Sequence, residues 1–308
     1  MSVNNNINPM DTLLGVRTPI VEQINSIKGI FALFTIDNVN DPIQDGVLGV
    51  LEYAIKTSYK NKEKKSANLY QKGIRLDIDN IVDSSDIAVD EFTTWWEVVD
   101  YLFDKGFINE AEHAQRYASP LISDIIAVVR SPEAASIYSF KTKTQETLVD
   151  FVIRKLTEAS EAYPIITKPS TISSKARISY INLNDVSPAN NPKQTAIMYL
   201  LARMVLVKDW MLFWGSLEPL LEDRYKKFYQ RKIEADIGIP KVLIYDEFHR
   251  TGGIRSGGDR RPKFAWFVVL STQKISDLNS AMSGLSSSAF ILGGSSEEEQ
   301  VQTKKYLD

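Results

Sequence analysis

An α/β protein with a largely parallel sheet and an all-helical insertion is the fold class that the sequence predicts, on three observations. Two apolar runs, Val242 to Tyr245 and Phe264 to Ser271, stand between turn signals and read as strands buried on both faces. Two further stretches, Ile178–Leu183 and Ala289–Leu292, are short strand candidates for the same sheet. From Thr93 to Glu161, in contrast, every cap and every apolar spacing is helical. The division that follows is 1–66, a helical insertion over 67–165, and 166–308 with the remaining strands.

Taken in order, the first helix is predicted to start at Thr18 as N-cap with Pro19 at the first helical position, burying Ile20, Ile24, Ile27 and Phe31. A second is predicted to open at Asp41-Pro42 and to bury Val47, Leu51, Ala54 and Ile55 before a charged loop, Asn61 to Lys65. The acids Asp77, Asp79, Asp83, Asp86 and Asp90 are irregularly spaced and lack the central glycine of a calcium loop, so they read as surface. Thr94 with Glu97 is a capping box ahead of an apolar stripe that Gly106 can terminate. Asn109 with Glu112 reads as a second box, and Thr142 with Gln145 as the cap of a helix bearing Leu148, Phe151, Val152 and Leu156. His113 has no second ligand near it in sequence and reads as a surface or packing residue. Pro164 to Ser174 has the composition of a linker. Beyond it, Asn191 caps a helix with Pro192 at its first position, which Gly215 is predicted to close.

The 308 residues carry a net charge of -3, which gives no global attraction to nucleic acid or anionic lipid. The absence of cysteine excludes disulfides, thiolate metal sites and a cysteine nucleophile. The most apolar stretch, Thr195 to Trp214, contains Arg203, Lys208 and Asp209 and fails as a membrane span. One local basic patch, Arg224 to Lys232, interleaves Tyr225, Phe228 and Tyr229. It admits two readings: a phosphate-tracking face with stacking rings, or an amphipathic helix whose long basic side chains lie over an apolar stripe.

The chemistry is concentrated where the strand Val242-Leu243-Ile244-Tyr245 ends in Asp246 and Glu247. Ligands of open parallel sheets bind beyond the carboxyl ends of the strands. In nucleotide-hydrolysing motors an apolar strand ending in Asp-Glu is the Walker B motif, the Asp holding Mg²⁺ and the Glu orienting water. The competing reading is a strand that runs into a solvated loop. In sequence logic three strand ends meet, at Asp185, at Asp246-Glu247 and at Gln273.

Separated blocks of the chain resemble one family. NPMDTLLGVRTP, TTWWEVVDYLF with FINEAEHAQRYASPLISD, the KDW of Lys208 to Trp210, IYDEFHRTGG, LSTQ and SAFIL are similar to the cytoplasmic ATPase of Dot/Icm-type (type IVB) secretion and conjugation systems, called DotO, IcmB or TraU. The resemblance runs from Asn8 to about Gly294. It implies a RecA-like P-loop NTPase domain of the FtsK/HerA type, ATP and Mg²⁺ as cofactors, and a homo-oligomeric ring. It also implies a place at the cytoplasmic face of the inner membrane among other secretion components. Carried onto this sequence, Asp246 and Glu247 become the Walker B pair, with Asp246 on the metal, and Gln273 the sensor of the γ-phosphate.

The sequence departs from that family twice. No Gly-Lys-Ser or Gly-Lys-Thr occurs, so the phosphate loop is absent and the chain reads as the part of the ATPase that follows it. The connection from Gly252 to Lys263 is short and rich in glycine, so the helix that carries the family's intersubunit arginine is trimmed. Arg260 and Arg261 are the surviving candidates for that role, or plain surface residues. Two other functions stay open at this point: a non-catalytic scaffold of the same machine, and a nucleic-acid translocase, which rests on the Arg224 to Lys232 patch.

Overall fold

The computed structural model describes residues 5–36, 43–85, 88–172, 176–186, 191–208, 214–246, 266–273, 288–290, 296–297, 300–301 and 304. They form α1 (Val21–Thr35), α2 (Gln44–Glu63), α3 (Leu76–Ser84), α4 (Trp95–Asp104), α5 (Ile108–Ala118), α6 (Ile122–Val129), α7 (Pro132–Ile137), α8 (Leu148–Ala162), α9 (Pro192–Val207), α10 (Trp214–Leu217) and α11 (Asp223–Asp236). Two strands follow, β1 (Lys241–Tyr245) and β2 (Trp266–Leu270), paired in parallel. The described structure is thus helix-rich with a small parallel sheet. None of its helices is long and apolar enough to cross a membrane. Two compact units divide the chain: Met1–Ser179 with Arg203–Ile233, and Tyr180–Ala202 with Glu234–Asp308.

The first unit is built on caps and apolar stripes. Thr94 Oγ1 accepts the Glu97 N–H at 3.3 Å while the Glu97 carboxylate accepts the Thr94 N–H at 2.7 Å. Two amide donors that the first turn of α4 leaves without helical partners are satisfied reciprocally. Gly106, at φ 87°, then turns the chain so that the Phe107 N–H reaches Leu102 O at 2.8 Å. Only a residue that tolerates positive φ closes a helix this way. Thr94→Ala is expected to lower the unfolding free energy by about 1 kcal/mol, measured by urea denaturation.

Between its caps α4 buries Trp95, Trp96, Val98, Val99 and Leu102 and packs on α5 through Ala111, Ala114 and Ala118. Leu13, Leu14, Val16, Ile78, Val82, Leu217, Leu221, Tyr225 and Tyr229 belong to the same cluster. A second packing group joins α1, α2, α6 and α8, with Val47, Leu51, Ala54 and Ile55 fully buried. Residues 1–66 and 67–165 therefore lie in one compact unit.

Several local expectations are corrected. The strand at Ile178–Leu183 does not form: the segment is coil, with Ile178 and Tyr180 89% and 84% exposed. Its recorded hydrogen bonds are local, such as Val186 N–H to Leu183 O. A β-prone sequence without a pairing neighbour stays unpaired. Ala289 and Phe290 are likewise exposed coil, while Ile291 and Leu292 lie outside the described residues.

Helix α1 starts at Val21, two residues beyond Pro19, because Ile20 is extended at ψ 160° and the Gln23 side chain accepts its N–H. Helix α2 continues to Glu63, so Asn61 to Glu63 are its last turn and not a loop; Asp41-Pro42 fall outside the described residues. Phe107 precedes α5, which places Asn109 inside the helix. Thr147, with Asp150, caps α8 in place of Thr142, whose N–H is taken up by Glu146 O in a tight turn. Gly215 sits within α10 and closes nothing. Asp79 is buried, accepting from the Tyr70 hydroxyl and from Gly73 N–H.

Pro164 to Thr171 is pinned to the chain's beginning. Ile7 N–H bonds Ile165 O at 2.9 Å, Asn8 N–H bonds Ser170 Oγ at 2.7 Å, and Thr171 N–H bonds Asn6 O at 3.0 Å. His113 packs as expected, its Nδ1 lying 3.0 Å from Arg75, which also pairs with Asp77.

Candidate functional site

The second unit holds the acidic strand. Lys241, at the start of β1, anchors the approach by donating to Asp236 O at 2.7 Å. The register with β2 pairs Lys241 with Trp266 and Tyr245 with Leu270, and the ladder extends one step further through Ser271 N–H to Tyr245 O at 2.8 Å. Parallel strands leave the sheet at the same edge. Asp246, one residue past β1, and Gln273, three past β2, therefore emerge at the same end of the pair, both exposed.

Asp246 is fixed through its main chain. Tyr199 of α9 donates its hydroxyl to Asp246 O at 3.1 Å, and its ring stacks on Tyr245 with centroids 6.3 Å apart. Helix α9 itself is set by the predicted cap, Asn191 Oδ1 accepting Gln194 N–H at 3.0 Å. Of the other residues singled out in the sequence, Glu247, Arg260 and Arg261 lie outside the described residues. Asp185 is in the exposed turn after the coil at 178–183 and so belongs to no strand end.

The two faces of the strand pair differ. Val242 and Ile244 of β1 register with Phe267 and Val269 of β2, and all four are about half exposed, at 50%, 66%, 57% and 47%. Leu243, on the opposite face, is buried. A parallel sheet is ordinarily covered on both faces, so this face accounts for the uninterrupted apolar run of the sequence.

The basic patch resolves in favour of the amphipathic reading. It lies on α11, where Tyr225 and Tyr229 are almost completely buried and donate their hydroxyls to Asp100 Oδ1 at 2.6 Å and Leu14 O at 2.7 Å. Burial and the Asp100 charge push the Tyr225 hydroxyl far above the ordinary tyrosine range. Rings committed to a core offer no stacking surface to bases, and Arg224 and Lys226 pair with Asp104 and Asp223. Two of the three rings on which the nucleic-acid reading relied are thereby removed from it, Phe228 being only partly buried.

The resemblance implies ATP and Mg²⁺, and the described residues at the strand ends do not fit that pair unaided. They supply one carboxylate and one carboxamide, and no group of three acidic or histidine side chains that could hold a metal occurs among the described residues. No Gly-Lys-Ser or Gly-Lys-Thr, the sequence signature of the amide cradle and lysine that neutralise a triphosphate, occurs in the chain.

No protein-family profile matches the chain, and no curated protein matches it. Among solved structures it is similar to VirB4 of Thermoanaerobacter pseudethanolicus, at 16% identity and a TM-score of 0.40 over 89% of this chain. The match spans 55% of that VirB4 chain. The sequence reading gives Asp11, Arg116 and Lys208 no shared place, yet the fold brings them to one cavity of the first unit. The available signal was an acid set among Met10, Leu13 and Leu14, where a solvated carboxylate is out of place.

Proposed function

We propose that the chain is an incomplete motor domain of a Dot/Icm-type secretion or conjugation ATPase of the DotO, IcmB or TraU kind. The observation that supports this is the parallel register of β1 and β2, which brings the first acid of IYDEFHRTGG and the last residue of LSTQ to one sheet end. In this reading Asp246 and Glu247 are the Walker B pair, Asp246 being the metal ligand, and Gln273 is the polar sensor. Arg260 or Arg261 reaches the nucleotide of a neighbouring subunit. Residues 1–66, 67–165 and 166–308 are successive parts of one RecA-like domain, the middle one a helical insertion. The assembled protein is a ring on the cytoplasmic side of the inner membrane, in contact with other components of the machine.

The bare face of Val242, Ile244, Phe267 and Val269 agrees with a sheet that is not finished within the described residues. Without the phosphate loop, Asp246 and Glu247 confront the phosphates with no compensating positive field. Calorimetric titration of the purified chain with Mg-ATP is expected to give a dissociation constant of about millimolar order or weaker, roughly -4 kcal/mol, with negligible hydrolysis. A micromolar constant abolished by Asp246→Ala would show that another part of the chain replaces the loop, and the incomplete-domain reading would fall.

A further inference from the structure

Several exposed apolar side chains of the first unit stand beside acids: Val21 beside Glu22, Leu76 beside Asp77, and Phe92, 72% exposed, directly after Asp90 and Glu91. Ile137 and Phe140 differ. They are 54% and 59% exposed, at the end of α7 and just beyond it, and the cations Arg130, Lys141 and Lys143 flank them in the chain.

The fold holds both side chains in the open. Helix α7 starts at its Ser131 cap and ends at Tyr138, whose N–H bonds Ala134 O at 2.9 Å. Tyr138 is the peg of this segment: its ring packs edge-on against Tyr53 with centroids 6.0 Å apart, and its hydroxyl donates to Gly49 O of α2 at 2.9 Å. Gly49 permits that approach, since a Cβ there would stand 3.3 Å from the Tyr138 ring. Phe140 then opens a short hairpin in which Leu148 N–H bonds Phe140 O at 2.9 Å, Lys141 pairs with Thr147, and Thr142 N–H bonds Glu146 O at 2.8 Å. Thr142 is buried, and Lys141 and Lys143 on either side of it are exposed, as the alternation of extended backbone requires.

Neighbouring cations are held by acids. Arg154 donates twice to the Glu146 carboxylate, at 3.1 and 2.9 Å, and Lys28 and Lys56 share Glu52. Arg130, Lys141 and Lys143, in contrast, are exposed and record no side-chain ion pair or hydrogen bond among the described residues. Within 130–145, all of it described, the one acid is Glu133, in the first turn of α7 and away from Phe140 in the chain.

Exposed apolar side chains ringed by cations fit an anionic lipid surface, where the apolar groups enter the boundary below the headgroups and the charged heads stay among the phosphates. We propose that Ile137 and Phe140, with Arg130, Lys141 and Lys143 around them, form a docking site for an anionic bilayer. The net charge of -3 supplies no attraction at long range, so the contact depends on this local patch, is weak in a single chain, and is screened by salt. An acidic peptide would satisfy the cations but would leave Ile137 and Phe140 in water. The assignment goes beyond the motor reading and uses none of its residues.

Co-sedimentation of the full chain with vesicles of phosphatidylcholine alone, or of equal parts phosphatidylcholine and phosphatidylglycerol, tests the assignment at low salt. The chain is expected to bind the anionic vesicles about tenfold more tightly than the neutral ones and to leave them as salt is raised. Lys141→Gln combined with Lys143→Gln should weaken that binding about fivefold or more, and Phe140→Ser by about as much, whereas Phe92→Ser should leave it unchanged. All four side chains are exposed, so these variants keep the fold. Phe140→Trp adds a signal that adsorption by charge alone does not give: its emission, taken as the difference from the parent chain, should move to shorter wavelength on anionic vesicles. Equal binding to both vesicles, binding to neither, capture by polyglutamate in place of the vesicles, no emission shift, or equal losses for Phe92→Ser and Phe140→Ser would each overturn the proposal. Asp246→Ala should leave vesicle binding unchanged, which separates this result from that of the motor reading.

Discussion

Gly15→Ala is expected to lower the unfolding free energy of the first unit by about 3 kcal/mol or more, an unusually large effect for a single methyl group. Gly15 is the third residue of a turn closed by Val16 N–H to Leu13 O, and its φ is +74°. Left-handed backbone costs a non-glycine residue roughly 1–2 kcal/mol. An added Cβ would also stand 2.6 Å from three ring atoms of Tyr225. That ring cannot yield readily: it is fully buried, its hydroxyl is held by Asp100, and Phe103 packs against it with centroids 4.3 Å apart. Overpacking of this kind adds about 1–3 kcal/mol.

The Gly15 amide is in turn held by Gln115, so the backbone has little freedom to move away. Denaturation followed by the fluorescence of Trp95 and Trp96, which lie in the same core cluster, reads the loss directly. Gly29→Ala is the control. Gly29 lies within α1 with nothing within 4 Å of an added Cβ, so that substitution is expected to be neutral or to stabilise by up to about 1 kcal/mol. Equal losses for the two variants would contradict the packing described for the turn.

What could be read from the sequence divides by whether the signal was local. The Thr94 box, the Gly106 turn and the Asn191 cap are complete within a few residues, and each stands where it was expected. Thr142 and Thr147 carry equivalent cap signatures five positions apart, and sequence alone does not rank them. The choice depends on the turn that commits the Thr142 N–H to Glu146 O. Strands fail for a related reason. RISYINL has the composition of a strand but no pairing neighbour among the described residues, whereas KVLIY finds one in WFVVL. Asp79 could not be placed either, because its burial depends on Tyr70 and Gly73 folding back over it.

The candidate site was legible as strand ends, since an apolar run stopping at Asp246 and another stopping before Gln273 are local patterns. That both leave at one edge is a property of the parallel register, which no single run contains. Asp11, Arg116 and Lys208 were not legible as a group, being brought together only by the packing of distant segments around one cavity.

The central proposal is that Asp246 is the metal-holding acid of a motor core that lacks its phosphate-binding part. Joining the phosphate-loop segment of a Dot/Icm-type ATPase ahead of Met1 supplies that part. The fused protein is expected to hydrolyse Mg-ATP where the original chain does not. Asp246→Ala in the fusion should then cut the rate about a hundredfold or more, because positioning of the metal contributes several kcal/mol to the transition state and each 1.4 kcal/mol is roughly tenfold. If Gln273 is the sensor, Gln273→Ala should lower turnover more than nucleotide affinity, since the loss would fall on the reacting phosphate. The decisive measurement is steady-state phosphate release by the fusion and its Asp246→Ala variant. Release that appears in the fusion and is lost in the variant is the predicted result; release that Asp246→Ala leaves unchanged would contradict the assignment.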